Sequence, residues 1–178
     1  MEAISYQVGR EQIKDGDIVF MANTRTIPAF FIRLFTRSIY SHCNMAFWID
    51  TPAGKRLLAV EAQGGTTRRV INLSFYTKRA DMHVVSPPKD WKTVVAPQAL
   101  VQLGFVKYGY IEALYVGFRE FLLKYFGIKI AEKRLGEICS EFVARTNEMP
   151  DQQISPALLM EELNKAGFPV KLEIARTE

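Results

Sequence analysis

The sequence predicts an α+β fold in which an antiparallel β-sheet, encoded first, packs against helices encoded second. Three observations carry this. Two apolar runs, residues 43–49 and 56–62, flank the short turn Thr51-Pro52-Ala53-Gly54, the pattern of an antiparallel hairpin. Beyond Pro87-Pro88 the apolar positions switch to helical spacing. No β-α-β rhythm runs through the chain, so a parallel doubly wound sheet is not expected. A chain of 178 residues, 48% apolar and 24% charged, has the size and composition of one domain spanning 1–178.

The elements follow in order. Asp15-Gly16 reads as a turn into a strand over residues 17–21. Residues 27–37 place Pro28 in a first helical turn and Phe31, Leu34 and Phe35 on one helical stripe. The hairpin comes next and ends at Gly64-Gly65, and residues 68–73 and 82–85 are further strand candidates. Residues 97–107 and 111–126 carry broad apolar faces with interspersed charge, as helices do. A short helix is expected over 138–148. Ser155-Pro156 is an N-cap followed by a first-turn proline, and its helix should stop near Gly167. Residues 169–174 supply a last strand.

Composition excludes several classes. Two cysteines, Cys43 and Cys139, make no disulfide framework, which points to a reduced compartment. His42 and Cys43 are adjacent and on a strand face opposite ways, so they cannot share an ion, and neither a metal nor another cofactor is expected. The N-terminus lacks a basic start followed by an apolar run, so no export signal is visible and a cytoplasmic location is expected. The most apolar region, residues 113–130, is broken by Arg119, Glu120, Lys124 and Lys129, so no transmembrane segment is expected. The net charge of +4 suits anionic substrates or surfaces and is too weak to argue for nucleic acid.

Candidate chemistry centres on Gly136-Glu137-Ile138-Cys139-Ser140-Glu141-Phe142-Val143. Cys139 falls in a first helical turn, where unpaired backbone N–H groups and the helix dipole favour a thiolate. Read alone, a buried cysteine is as well explained as a small apolar core residue. The search for a base is short, because the chain has two histidines. His42 lies where a loop becomes a strand, and alternation puts it with Asn44 and Ala46 on one face and Cys43, Met45 and Phe47 on the other, which makes Cys43 a core residue. His83 has no polar partner in pattern and reads as a surface or edge residue. A histidine base needs a group that holds its tautomer. Glu61, at the end of the strand opposite that of His42, is the candidate, with Gln63 as the fallback.

Three segments in this order, residues 15–20, Tyr40-Ser41-His42, and Ile138-Cys139-Ser140-Glu141-Phe142-Val143, resemble the circularly permuted NlpC-like cysteine hydrolases of the papain-like superfamily, especially the YiiX-type group. Val60-Glu61-Ala62 and the Ile154-Ser155-Pro156 helix start match further segments of that group. The resemblance covers residues 15–167. It implies a sheet or half-barrel against helices, Cys139 as nucleophile, His42 as general base and Glu61 as the group orienting His42. Tyr108 could line the cleft or simply pack on a helix, and Ser41 and Ser140 stand beside the catalytic pair as further substrate contacts. Cys43-Asn44 departs from the small apolar residue and glycine usual after that histidine, and two sizeable helices separate Glu61 from Cys139.

The expected function is a cysteine hydrolase of the amidase or peptidase type working through an acyl-enzyme. Its substrate would be a peptide, a peptidoglycan fragment or a lipid acyl group, and a phage-associated setting would reconcile a cell-wall substrate with the missing export signal. Two alternatives remain open. One is a lipid acyl hydrolase or acyltransferase similar to the lecithin retinol acyltransferases, with peripheral lipid contact through residues 30–35 and 108–126. The other is a non-catalytic binding module on the same fold.

Overall fold

The computed structural model describes residues 2–63, 68–101, 103–104, 110–131, 137–150 and 153–177. Six strands, β1 (Ile18–Ala22), β2 (Tyr40–Thr51), β3 (Gly54–Ala62), β4 (Arg68–Asn72), β5 (Asp81–Val85) and β6 (Val170–Ile174), form an open sheet in the order β4-β3-β2-β1-β5-β6. Every neighbouring pair is antiparallel. The helices are α1 (Tyr6–Gly9), α2 (Ile27–Thr36), α3 (Ala96–Val101), α4 (Tyr110–Phe126), α5 (Cys139–Thr146) and α6 (Pro156–Lys165). The α+β class and the hairpin are as the sequence predicts.

β1 is buried throughout because the sheet is covered on both faces. Ile18 and Phe20 join Cys43, Met45, Phe47 and Val60 against α5 and α6. Val19 and Met21 join Ala46, Leu57 and Ala59 against Tyr6, Ile13, Leu73 and Tyr76. The N-terminal segment, which carries no sequence signal for an element, is thus recruited as a lid on the second face. The turn before β1 requires glycine. Gly16 has φ +87°, and a Cβ there would lie 2.9 Å from Cβ of Trp91.

Local signals place the helices. Thr26 caps α2 by accepting from the Ala29 N–H, and Arg37 ends it at φ 47°. Ser155 caps α6 through the Leu158 N–H. The helix expected over 97–107 starts earlier, with a π-helical turn at Trp91–Val95 leading into α3. Asp90 accepts from the Thr93 N–H at 2.9 Å, and the Trp91 ring stacks on Phe47 at 5.2 Å, so capping and burial of the indole set that start. Residue 102 and residues 105–107 of that expected helix lie outside the described residues.

Candidate active site

Glu61 is the penultimate residue of β3 and is 0% exposed. A lone buried carboxylate is expensive, and this one is satisfied three times over. His42 Nε2 is 2.8 Å from Oε2, the Tyr76 hydroxyl donates to Oε2 at 2.5 Å, and Arg69 Nε donates to Oε1 at 2.8 Å. Burial alone would raise its pKa, but the hydrogen bond and charge of His42, with the Tyr76 and Arg69 donors, hold it down at about 2. Arg69 also bonds Gln63, which makes Gln63 a support of this cluster.

His42 owes its direction to a bulge. β1 and β2 pair Met21 with His42 and then Ala22 with Tyr40, so Ser41 is the extra residue. Bulges bend a strand and re-aim its side chains. With Nε2 held by Glu61, Nδ1 is the nitrogen left for the sulfur. The His42 and Cys139 side chains are hydrogen-bonding and charge partners. Burial would lower the imidazole's pKa, but the charge and hydrogen bond of Cys139 and those of Glu61 outweigh it and raise it to about 10.

Cys139 is the first residue of α5, which packs on β2. Its pKa lies well below the ordinary thiol range: a hydrogen bond from the Cys43 thiol contributes most, burial opposes it, and the His42 cation adds to it. Cys43 shifts the opposite way, upward through burial and the neighbouring Cys139 charge. The two shifts act together, both favouring a thiolate beside an imidazolium, with Cys43 donating to the sulfur.

A buried ion pair anchors the helix start. Arg68 on β4 donates from Nε and a terminal nitrogen to the two oxygens of Glu137 at 2.6 and 2.7 Å, and Arg145 also contacts that carboxylate. The Arg68 guanidinium lies 4.6 Å over the Phe142 ring. Burial lowers its pKa to about 10. Glu141 accepts from the Ile138 N–H at 3.1 Å, which satisfies a donor at the helix start.

A cleft of about 200 Å³ opens on this cluster, with His42, Ser41, Gln63 and Tyr76 on one side and Pro28, Ala29 and Ile32 of α2 on the other. Cys139 is 2% exposed and is not among the residues that line the cleft.

Tertiary structure thus brings Cys139, His42 and Glu61 together. It corrects other expectations. Ser140, expected to contact substrate, is fully buried and donates to the Ile154 carbonyl at 2.5 Å, tying α5 to the start of α6. Ser41 belongs to the cleft wall, but its Oγ is buried and has no hydrogen-bond partner among the described residues. Tyr108 lies outside the described residues. His83 is no edge residue: β5 runs between β1 and β6, and His83 Nδ1 lies 2.9 Å from the Tyr40 hydroxyl. Cys43 is a core residue as read, and it is also the thiol beside Cys139. Sequence reasoning missed Tyr76, Arg69, Arg68 and Glu137. Only the double arginine opening β4 marked any of them, since an Arg side chain in a strand reads as solvated until its partner is known.

The fold and site define an α+β domain with a cysteine, histidine and glutamate joined at the end of an antiparallel sheet. No family model matches the chain, and no curated protein does. Among solved structures it is similar to the metalloprotein yiiX from Escherichia coli O157:H7, with a TM-score of 0.41 and 17% identity over 93% of this chain and 89% of that one. A likeness of that size bears on neither activity nor metal content. Among the described residues, no group of three or more His, Cys, Asp or Glu side chains is placed to hold a metal ion.

Proposed function

We propose that the protein is a cysteine hydrolase of the amidase or peptidase type, built on a permuted papain-like site. The observation that carries this is the chain Glu61–His42–Cys139, in which a fully buried carboxylate holds Nε2 of an imidazole whose other edge meets a helix-start sulfur. In this reading the Cys139 thiolate adds to an acyl carbonyl, and backbone N–H groups at the start of α5 stabilise the oxyanion. Imidazolium then protonates the leaving amine or alcohol, which leaves a thioester on Cys139. Neutral His42 next removes a proton from water. The resulting hydroxide attacks the thioester, the acid departs, and thiolate and imidazolium are restored. Glu61 stays ionised throughout and positions the ring. The buried sulfur means that substrate must displace the side chains around the imidazole before acylation.

The order His, acid, Cys along the chain suits a permuted arrangement. A lipid acyl substrate is the second reading, favoured by α2, whose inner side walls the cleft while its outer side is apolar and exposed. A binding module without catalysis would have no use for a depressed Cys139 pKa. Labelling with a small acyl electrophile tests the proposal: wild type should acylate at one site, and Cys139→Ala should fold normally and not label. Labelling that survives in Cys139→Ala and disappears in Cys43→Ala would overturn it.

A further inference from the structure

Among the described residues, exposed apolar side chains gather on the face formed by α2 and the end of α4. On α2, Ile27, Phe30 and Leu34 are 77%, 52% and 53% exposed, and Phe126 at the end of α4 is 63% exposed. The patch is continuous. Rings follow one another from Phe30 to Phe31 at 5.5 Å, Phe31 to Phe35 at 6.2 Å, Phe35 to Phe121 at 6.5 Å, and Phe121 to Phe126 at 5.8 Å. A soluble surface does not ordinarily gather this many large side chains, and such a patch marks a docking surface.

Charge identifies what docks. Arg25, Arg37, Lys124 and Lys129 are exposed around the patch, and the Arg37 guanidinium lies 3.8 Å over the Tyr125 ring. On the acidic side, Glu161 sits 3.9 Å from Lys124, and Glu120 is turned inward to Ser155. The rim is therefore net positive. Two copies meeting through this face would set like charges against each other, whereas an anionic bilayer offers negative headgroups to the rim and an acyl boundary to the rings. Aromatic and aliphatic side chains ringed by Arg and Lys are the composition of a helix that lies in a membrane interface. α2 has a second role, since Pro28, Ala29 and Ile32 on its inner side wall the cleft beside His42.

We propose that the face formed by α2 and the C-terminal half of α4 docks on anionic phospholipid bilayers and holds the cleft against the membrane surface. No helix is long and apolar enough among the described residues to cross a membrane, so the contact is peripheral. That docking serves lipid acyl chemistry rests on the proposed function; the docking itself does not.

Vesicle flotation tests it, with one vesicle set of phosphatidylcholine alone and one containing a third phosphatidylglycerol. Wild type should float with the anionic vesicles and much less with the neutral ones, each rim cation contributing about fivefold to partitioning. Phe30→Ser/Leu34→Ser/Phe126→Ser should lose about 100-fold or more in partitioning, since three large apolar side chains no longer insert. Its melting point and its Cys139 labelling should match wild type, and Cys139→Ala should float as wild type does, which separates docking from chemistry. Three results would each overturn the proposal: no flotation of wild type, flotation untouched by the triple substitution, or light scattering that shows a wild-type dimer abolished by the triple substitution.

Discussion

Replacing Glu61 by Gln removes one charge while preserving shape, and so isolates what the carboxylate does for the imidazole. The carboxylate accepts from His42, Tyr76 and Arg69 at 2.8, 2.5 and 2.8 Å. An amide cannot accept all three, because its NH2 meets a donor, so one or more charge-assisted bonds are lost at about 1.5–3 kcal/mol each. For a chain of this length the loss of one such bond lowers the melting point by roughly 3–12 °C, which leaves a folded protein. The chemical effect is larger. His42 is held at about 10 with Glu61 among the causes. Without that charge the cation beside Cys139 weakens and the thiol moves toward the free value of about 8.5. A thiol at the free value would be about 3% ionised at pH 7, so alkylation by iodoacetamide slows by at most about 30-fold, and the donor retained at residue 43 keeps the loss below that ceiling. Above about pH 9.5 the two proteins should react alike, because both are then ionised. The assay is the alkylation rate of Cys139 against pH, with Cys43→Ser as background. A folded Glu61→Gln protein that alkylates at pH 7 as fast as wild type would refute the reasoning, since His42 would then not depend on Glu61.

Cys43→Ala should raise the Cys139 pKa by withdrawing the thiol that donates to it, while Cys43→Ser, which keeps a donor, should restore most of the wild-type alkylation profile. Glu137→Ala strands Arg68 in the core and should cost about 3–5 kcal/mol by urea unfolding; a loss under 1 kcal/mol would mean the pair does not anchor α5. Stability against pH should show two limbs. Glu61 is depressed from 4.5 to about 2, so its contribution is complete above the ordinary value and lost as pH falls through about 2. His42 is raised from 6.5 to about 10, so its contribution is complete below the ordinary value and lost as pH rises through about 10. Cys139, depressed, gains in the opposite sense up to about pH 8.5, so the alkaline decline should show clearly only above that point. Urea midpoints across the range measure this, and Glu61→Gln should flatten the acid limb.

Period and punctuation were enough to read most of the fold. Alternation at residues 43–49, the Thr51–Gly54 turn, the Ser155-Pro156 cap and Gly167 depend on neighbours a few positions away, and those neighbours are written next to one another in the chain. The same locality made Cys139 legible as a helix-start thiol and His42 as a strand-start imidazole. What sequence order could not contain is long-range partnership. Arg68 and Glu137 look like surface charges until β4 meets the start of α5. Tyr76 carries no signal of its own in the sequence and joins the site only when its hydroxyl reaches Glu61. Ser140 looks solvent-facing until Ile154 takes its hydroxyl, and Cys43 looks inert until α5 packs against β2. The bulge at Ser41, which turns His42 toward its partners, is a register difference between two strands and belongs to neither alone. Local propensity therefore determined the elements and nominated the reactive groups. Burial and charge pairing, which exist only after the elements have packed, decided which polar groups are partners and in what ionisation state they rest.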